Sequence, residues 1–174
     1  MKHDSFQAHY RYAAAGIFAI FLVMNTLSQP RVARLQPHHT TDFAQLIALF
    51  EEVFEMPAYE RPTLAHLEKL LAQPDFFVLA AYVNDQLVGG LTAYVWDQYY
   101  SDKKLAYVYD LAVLPMYQRK GVGRLLMAEI QHRCREAGFA EVFVQAEQED
   151  THALDFYRAT GGVEQAVYHF SYRL

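Results

Sequence analysis

The sequence contains only one cysteine, Cys134, among its 174 residues. A lone thiol cannot form an internal disulfide, and this scarcity is typical of proteins from a reducing compartment, so we expect a cytoplasmic protein. No group of cysteines and histidines has the spacing of a zinc site. We therefore predict neither a disulfide framework nor a bound metal.

The sequence also lacks an excess of positive charge. Lys and Arg number 15 against 20 Asp and Glu, which gives a formal net charge of −5. Nucleic-acid binding requires basic side chains clustered on one face, so nucleic acid is not expected as a partner. A net negative charge can attract cations, although many proteins carry it for solubility alone.

No apolar run is long enough for a transmembrane helix. The longest uncharged apolar stretch, residues 12–24 (YAAAGIFAIFLVM), is shorter than the roughly 20 residues needed, so stable membrane insertion is not expected. The stretch is open to three interpretations: an extension upstream of a natural start at Met24, a helix packed on a surface or interface, or an export signal. We divide the chain into an N-terminal extension, residues 1–29, and one domain, residues 30–174.

The composition of the remaining chain is that of an ordered globular domain. Hydrophobic residues make up 53% of the sequence and charged residues 20%. The 13 Tyr and 12 Phe residues predict a core or a cleft that is rich in flat side chains.

Hydrophobic periodicity predicts alternating strands and helices. We expect a strand at residues 31–36, a helix capped by Thr40, Thr41 or Asp42 that ends at Met56-Pro57, and a second helix between Thr63 and Pro74. A hairpin (residues 76–83 and 87–96), a polar break (101–104), a strand (105–113) and a helix (122–137) that Gly138 stops then follow. A strand (141–146), a short helix (151–160) and a final strand (163–173) complete the order β-α-α-β-β-β-α-β-α-β. This order predicts an α/β protein of the α+β kind, with one mixed sheet flanked by helices.

A glycine-containing loop lies between the predicted strand 105–113 and the next helix. Its sequence, Gln118-Arg119-Lys120-Gly121-Val122-Gly123-Arg124, combines glycines that allow close backbone approach with three basic side chains. At a helix N-terminus, such a loop can bind a pyrophosphate through exposed backbone amides. The spacing fits neither a nucleoside-triphosphate loop nor a dinucleotide-binding fingerprint.

This loop, in the form Q/R-x-x-G-x-G/A after Leu111-Ala112-Val113, resembles motif A of the GCN5-related N-acetyltransferase (GNAT) superfamily. The predicted element order agrees with that superfamily from about residue 30 onward. The resemblance implies a mostly antiparallel mixed sheet and acetyl-CoA as the acetyl donor. It also implies that loop residues 118–124 hold the pyrophosphate, while the backbone of Leu111, Ala112 and Val113 binds the pantetheine and polarises the thioester.

A narrower resemblance is carried by FFVLAAYVNDQLVGGLTAYV, YVYDLAV, VFVQAE and YHF. These stretches are similar to the gentamicin-type aminoglycoside 3-N-acetyltransferases, which implies a small cationic acceptor, a homodimer and a role in antibiotic resistance. The sequence departs from that family at Glu147, where Asp is usual, and at Thr151-His152, where Asp-Pro is usual. Residues 96–104 also lack the sequence that is usual in that family at this position.

Two residues are candidates for catalysis. The resemblance places Tyr157 near the coenzyme A sulfur, where a phenol can donate a proton to the leaving thiolate; the alternative is a packing role. Asp110 lies inside an apolar strand, where an unpaired charge is costly to bury. It is interpreted as binding the acceptor amine, with proton removal through a water as a further role, or else as half of a structural salt bridge.

Three acidic residues, Glu147, Glu149 and Asp150, follow the next strand and could join Asp110 in binding a cationic acceptor. His152 and His169 are further candidate bases because of the range in which histidine titrates. Since Cys134 falls on the apolar face of a predicted helix, we expect direct acetyl transfer without a covalent enzyme intermediate. Two alternatives remain: acetylation of another small amine, such as a polyamine, peptide or amino metabolite, and a non-catalytic acetyl-CoA-binding module.

Overall fold

The computed structural model describes residues 29–57 and 60–174. The predicted N-terminal extension, residues 1–29, therefore lies outside the described residues except for Gln29. Within the described part of the chain, no helix is both long and apolar enough to cross a membrane.

Five strands and four α-helices make up the fold. The strands are β1 (Arg31–Arg34), β2 (Phe76–Val83), β3 (Gln86–Gln98), β4 (Ser101–Val113) and β5 (Glu141–Val144). The helices are α1 (Thr40–Val53), α2 (Leu64–Leu71), α3 (Val122–Glu136) and α4 (Thr151–Ala159), with a 3-10 turn at Pro115–Tyr117.

The strands form one sheet in the order β1-β2-β3-β4-β5. Neighbours from β1 to β4 are antiparallel, whereas β4 and β5 are parallel and connected through α3. The prediction of a mixed, mostly antiparallel sheet flanked by helices is confirmed.

Side chains alternate along β2 between two cores, one on each face of the sheet. Phe77, Leu79 and Ala81 pack in the core that α3 covers with Leu126 and Ile130. The intervening side chains pack with residues of α1 and α2 in the second core; these are Phe76, Val78, Ala80 and Tyr82. Because both faces of β2 are buried, its sequence FFVLAAYV reads as a continuous apolar run.

The polar break predicted at residues 101–104 is wrong, because these residues form the first part of β4. Ser101 pairs with Gln98 across the hairpin, and the Gln98 side-chain amide donates to the Lys103 carbonyl. Lys104 forms ion pairs with Asp75 and Asp97. Polar side chains are compatible with a strand here because this end of the hairpin is largely exposed.

The helix ends were predicted with mixed success. Thr63 caps α2 as predicted, accepting a hydrogen bond from the His66 amide. The cap predicted for α1 is wrong, since the helix begins at Thr40 after His39 and has no side-chain cap. The Asp42 carboxylate instead accepts a hydrogen bond from the Tyr82 hydroxyl.

The final strand predicted at residues 163–173 is also wrong. Residues 163–174, the C-terminal tail, have no regular secondary structure and are exposed throughout. A strand forms only where a neighbouring strand satisfies its backbone groups, and in the described part of the chain the tail pairs with no strand. An alternating sequence alone could not reveal that missing neighbour.

Candidate active site

Strand β4 continues well beyond the residues that pair with β5, and a gap opens beside its last part. The two strands pair only from Leu105 opposite Glu141 to Val108 opposite Val144, whereas β4 continues to Val113. Beyond Val108, β4 still pairs with β3, but among the described residues no strand pairs with its other edge. Leu111, Ala112 and Val113, the three predicted backbone ligands, lie on this part of β4. The gap therefore exposes strand backbone groups to whatever enters between β4 and β5.

Helix α3 begins close to the end of β4, since a Cβ at Gly123 in its first turn would lie 3.9 Å from the Val113 side chain. Its N-cap residue, Gly121, has φ of 86° and provides no side-chain cap, whereas Thr63 and Asp150 cap α2 and α4. The first turn of a helix leaves backbone N–H groups without helical partners. At α3 these amides, from Val122 onward, are therefore available to an anion, and the helix dipole favours negative charge there.

Gln118 joins the loop to the end of β4. Its side-chain amide donates to the Val113 carbonyl at 3.0 Å, and its backbone N–H donates to the Pro115 carbonyl at 3.2 Å. These bonds engage groups of Gln118 and Val113 that a ligand could otherwise use. They fix the loop against the strand and leave Arg119 to Arg124 as its free part.

The basic side chains of the loop are exposed. Lys120 places its ammonium group 5.5 Å from the centre of the Tyr117 ring, while Arg119 has a left-handed φ of 59°. Arg124 lies in a shallow cleft between α3 and α4 that includes Ala159 and Thr160. Gly123 packs closely under α4, since a Cβ there would lie 3.1 Å from the Phe156 ring, which would have to shift by a few tenths of an ångström.

Asp110 is half-buried and receives a hydrogen bond from the Thr92 hydroxyl at 3.1 Å. Burial raises the pKa of the Asp110 carboxyl, and the Thr92 hydrogen bond opposes that rise. Within the part of the chain that the structure describes, no cation forms a salt bridge with this carboxylate. The structural salt bridge considered for Asp110 is therefore not found there.

An exposed aromatic surface adjoins Asp110. It lies on the same face of the sheet as α1, next to the part that α1 covers. This aromatic face comprises Tyr94 and Trp96 of β3, Tyr107 and Tyr109 of β4, and Phe143 of β5. Tyr107 stacks on Phe143 with ring centres 5.0 Å apart, and Trp96 lies 5.3 Å from Tyr107. An irregularity in the pairing of β3 with β4 leaves Tyr109 as the extra residue between Val108 and Asp110. This bulge lets Tyr109 contact Tyr94 while the next side chain, Asp110, reaches Thr92.

Tyr157 lies on α4, where the charges of the Asp150 and Asp110 carboxylates act on its phenol. Burial raises the pKa of its phenol to about 12, and the charges of Asp150 and then Asp110 add to the rise. The phenol is therefore protonated at neutral pH and can act as a proton donor. The ring also packs against the core beneath α3, so the two roles considered for it are compatible.

The three acidic residues after β5 differ in their surroundings. One carboxylate oxygen of Asp150 accepts a hydrogen bond from the Ala153 amide and caps α4. Glu147 and Glu149 are exposed, as is His152. His169 lies in the C-terminal tail, outside the regular secondary structure.

Cys134 is buried on α3, and burial raises the pKa of its thiol to about 11. A protonated, buried thiol is a poor nucleophile. Across residues 29–57 and 60–174, no group of three or more His, Cys, Asp or Glu side chains could hold a metal ion.

Sequence reasoning missed Thr92 and the aromatic face. Thr92 is only 5% exposed and occupies a position where the sequence shows an ordinary strand residue. Thr92, Tyr94 and Trp96 alternate along β3, which indicates a common face. Their partners on β4 depend on the bulge at Tyr109, which no local pattern identifies.

Replacing Thr92 with Val is expected to raise the pKa of Asp110, because burial then acts without the opposing hydrogen bond. The free energy of unfolding should fall by only about 1 kcal/mol, since one hydrogen bond is lost. Carboxyl carbon NMR titration of Asp110 measures the shift directly. Thr92→Ser is the control, because it retains the hydroxyl and should keep the pKa close to that of the unmodified protein. Equal pKa values in all three proteins would contradict the assigned hydrogen bond.

The sequence profile of the acetyltransferase (GNAT) family matches residues 43–161. An aminoglycoside acetyltransferase from an uncultured soil metagenomic sample, solved with trehalose, is 49% identical over 83% of this chain and 96% of its own, with a TM-score of 0.81. The same protein has been solved with sisomicin. A second soil metagenomic aminoglycoside acetyltransferase is 32% identical over 84% of this chain and 99% of its own, with a TM-score of 0.80. No curated protein matches the chain.

More distant structures share the fold alone. The aminoglycoside N-acetyltransferase AAC(6')-Iy, solved with CoA, is 17% identical over 83% of this chain and 95% of its own, with a TM-score of 0.68.

Proposed function

Because the chain belongs to the acetyltransferase (GNAT) family, we propose that it transfers an acetyl group from acetyl-CoA to an aminoglycoside, at the amino group of position 3. Members of this family use acetyl-CoA. The acceptor part of the proposal rests on one observation: Asp110, without a cationic partner in the described part of the chain, lies beside an exposed aromatic face.

An ammonium-rich sugar suits this surface for two physical reasons. A half-buried carboxylate attracts an ammonium group more strongly than a fully solvated one does. Exposed Trp and Tyr rings also attract cations over their faces, and Trp96 and Tyr109 are both accessible. The exposed Glu147 and Glu149 add negative charge after β5. The relative solved with sisomicin supports the choice of an aminoglycoside.

The residues around the β4–β5 gap suit acetyl-CoA, a long thioester that carries a pyrophosphate. The uncapped amides of α3 and the exposed Arg119, Lys120 and Arg124 suit a pyrophosphate. The unpaired edge of β4 at Leu111 and Ala112 suits an extended chain that carries amide groups. In this assignment Gln118 and Val113 position the loop, while Gly121, Val122 and Gly123 contribute backbone amides.

The proposed chemistry needs a base for the amine and an acid for the thiol. Asp110 holds the acceptor ammonium, takes up one of its protons directly or through a water, and releases that proton to solvent, which leaves a neutral amine. The carboxylate takes up the second proton that the nitrogen loses during acetyl transfer and passes it to solvent as well. The nitrogen forms a bond to the acetyl carbonyl carbon, and the carbon–sulfur bond breaks. Tyr157 donates its phenol proton to the departing sulfur and regains a proton from solvent. Bond and proton changes therefore balance without a covalent enzyme intermediate.

The function is tested by incubating the full-length protein with acetyl-CoA and, separately, sisomicin, gentamicin and spermidine. Mass spectrometry should detect a single added acetyl group on the aminoglycosides, and NMR of the product should locate it at the 3-amino group. Acetylation of spermidine but of neither aminoglycoside would show that the acceptor is another small amine. Acetylation at another amino group would overturn the assigned position, and the absence of thiol release with all three acceptors would favour a non-catalytic acetyl-CoA-binding module.

Replacing Gly121 with Ala is expected to weaken CoA binding by about 10-fold or more. An L-residue at φ of 86° costs roughly 1 to 2 kcal/mol, and relief of that strain would reorient the first amides of α3. Isothermal titration calorimetry with CoA measures the loss.

Gly138→Ala is the matched control, because Gly138 lies after the opposite end of α3 with φ of 75° and also has open space around it. Both variants should lose similar stability, and only Gly121→Ala should lose affinity. Equal dissociation constants for CoA in the two variants would contradict a ligand site at the start of α3.

A further inference from the structure

Three rings of the aromatic face contact one another and form what we call the three-ring cluster. The ring centres of Trp96, Tyr107 and Phe143 lie 5.3, 5.0 and 5.4 Å apart in the three pairs. The Tyr107 hydroxyl donates to the Gln145 side-chain oxygen at 3.0 Å, which holds the Tyr107 ring in place. Trp96 remains 48% exposed. An open set of fixed rings can stack against the apolar face of another ring and can attract a cation.

A carboxylate lies beside this cluster. Leu105 of β4 pairs with Trp96 on one side and with Glu141 of β5 on the other. Glu141 and Phe143 are two positions apart on β5, so their side chains share one face of the sheet. Glu141 is exposed, and no basic side chain in the described part of the chain forms a salt bridge with it. The cluster therefore adjoins a negative charge that a cationic ligand can use.

The three-ring cluster is continuous with Asp110. Tyr109 lies between them, with its ring centre 5.9 Å from that of Tyr107 and 5.7 Å from that of Tyr94. Burial raises the pKa of the Tyr94 and Tyr107 phenols, and Tyr109 and Asp110 add to both rises. The charge of Asp110 thus acts on the same surface.

The two carboxylates, Asp110 and Glu141, lie at opposite ends of this surface. Along β4, the positions beside them are Asp110 itself and Leu105, the partner of Glu141. With the bulged Tyr109 left out, this span is roughly 13 Å. That distance is longer than one sugar ring, so a ligand that contacts both carboxylates needs at least two linked rings.

We propose that the three-ring cluster and Glu141 form a subsite for a second amino-sugar ring of the acceptor. The apolar face of that ring stacks on Trp96, and Glu141 binds one of its ammonium groups, while Asp110 holds the amine that is acetylated. The inference rests on the proposed function, because it takes Asp110 as the contact of the reacting amine. The subsite makes the protein selective for linked rings, since a linear polyamine has no ring to stack and a single ring does not reach both carboxylates.

Trp96 is the sole tryptophan of the chain, so its fluorescence reports directly on the subsite. Titration with sisomicin, which has linked rings, should change the emission of Trp96 in a saturable way. The single ring 2-deoxystreptamine carries the 3-amino group and should bind, as measured by calorimetry, without changing that emission. Unchanged emission at saturating sisomicin would overturn the subsite. An equal change with 2-deoxystreptamine would also overturn it, because no second ring would then be needed.

Variants of the two ends of the subsite should affect binding of the acceptor and not the chemical step. Trp96→Ala should raise KM for sisomicin about 10-fold with kcat unchanged, and Trp96→Phe, which retains a ring, should restore most of the loss. Glu141→Gln should raise KM about 3- to 5-fold, and high salt should reduce the difference from the unmodified protein. With 2-deoxystreptamine, all three variants should stay within about 2-fold of the unmodified protein, because its single ring does not reach this end of the surface.

Two controls remove the same groups elsewhere. Tyr100→Ala deletes an exposed ring at the turn between β3 and β4, and Glu136→Gln deletes an exposed charge at the end of α3. Both should leave KM for sisomicin unchanged. Circular dichroism checks the fold, and if Trp96→Ala unfolds, the fluorescence titration and the conservative Glu141→Gln decide.

The outcomes separate the subsite from the proposed function. Acetylation of sisomicin with the same KM in Trp96→Ala, Glu141→Gln and the unmodified protein would overturn the subsite and leave acetyl transfer in place. A saturable emission change without acetylation of sisomicin would support an amino-sugar subsite and overturn the proposed function.

Discussion

Replacing Asp110 with Asn is expected to lower kcat/KM for the acceptor by about 10²- to 10⁴-fold, the usual contribution of a positioned acid or base. Asn has the same shape and its side-chain oxygen can still accept the Thr92 hydrogen bond. It cannot hold an ammonium group by charge or take up its proton. Steady-state kinetics with an aminoglycoside and the calorimetric dissociation constant for CoA measure the two effects, and the CoA value should stay unchanged.

The same variant should be no less stable than the unmodified protein at neutral pH. Burial raises the pKa of Asp110 in the folded state, so the folded protein binds this proton more tightly than the unfolded chain does. The stability associated with that proton is present at low pH and is lost as pH rises through the folded pKa. Asn carries no ionised form, and thermal unfolding should therefore give an equal or higher Tm at pH 7. A clearly lower Tm with unchanged kcat/KM would assign Asp110 a structural role instead.

Activity should also depend on the ionisation of Asp110. The proposed role requires the carboxylate, so kcat/KM should fall as pH decreases through its raised pKa. In Thr92→Val the same fall should occur at higher pH. A pH profile of the two proteins connects the titration of Asp110 with the reaction itself.

Replacing Tyr157 with Phe is expected to lower kcat by about 10²-fold and to leave the affinity for acetyl-CoA unchanged. The phenol remains protonated at neutral pH because burial, together with Asp150 and Asp110, raises its pKa to about 12. Phe retains the ring that packs beneath α3, so the change removes the proton donor and little of the packing. Thiol release, followed by absorbance under single-turnover conditions, measures the acetyl-transfer step.

Tyr117→Phe is the matched control for this experiment. It removes a hydroxyl that donates to Gln86, outside the β4–β5 gap, and should leave kcat nearly unchanged. Equal turnover of Tyr157→Phe and the unmodified protein would show that Tyr157 is not the proton donor. An equal loss in both variants would point to a general effect of losing a hydroxyl near the loop.

Local patterns in the sequence determined most of the secondary structure. The periodicity of residues 122–137 and the stop at Gly138 predicted α3, because helix packing and termination depend on residues within a few turns of one another. The hairpin of β2 and β3 was predicted from its two apolar runs and the turn at Asn84 and Asp85, both of which have positive φ. The order of these elements, together with the loop at residues 118–124, was enough to identify the family.

Tertiary structure alone decided how the candidate site is assembled. The contact between Thr92 and Asp110 depends on a bulge at Tyr109, and the gap beside Leu111 depends on β5 ending at Val144 while β4 continues. The C-terminal tail has the alternation of a strand but does not form one in the single chain. Strand pairing joins residues far apart in sequence, so its register and extent depend on neighbours that no local pattern specifies.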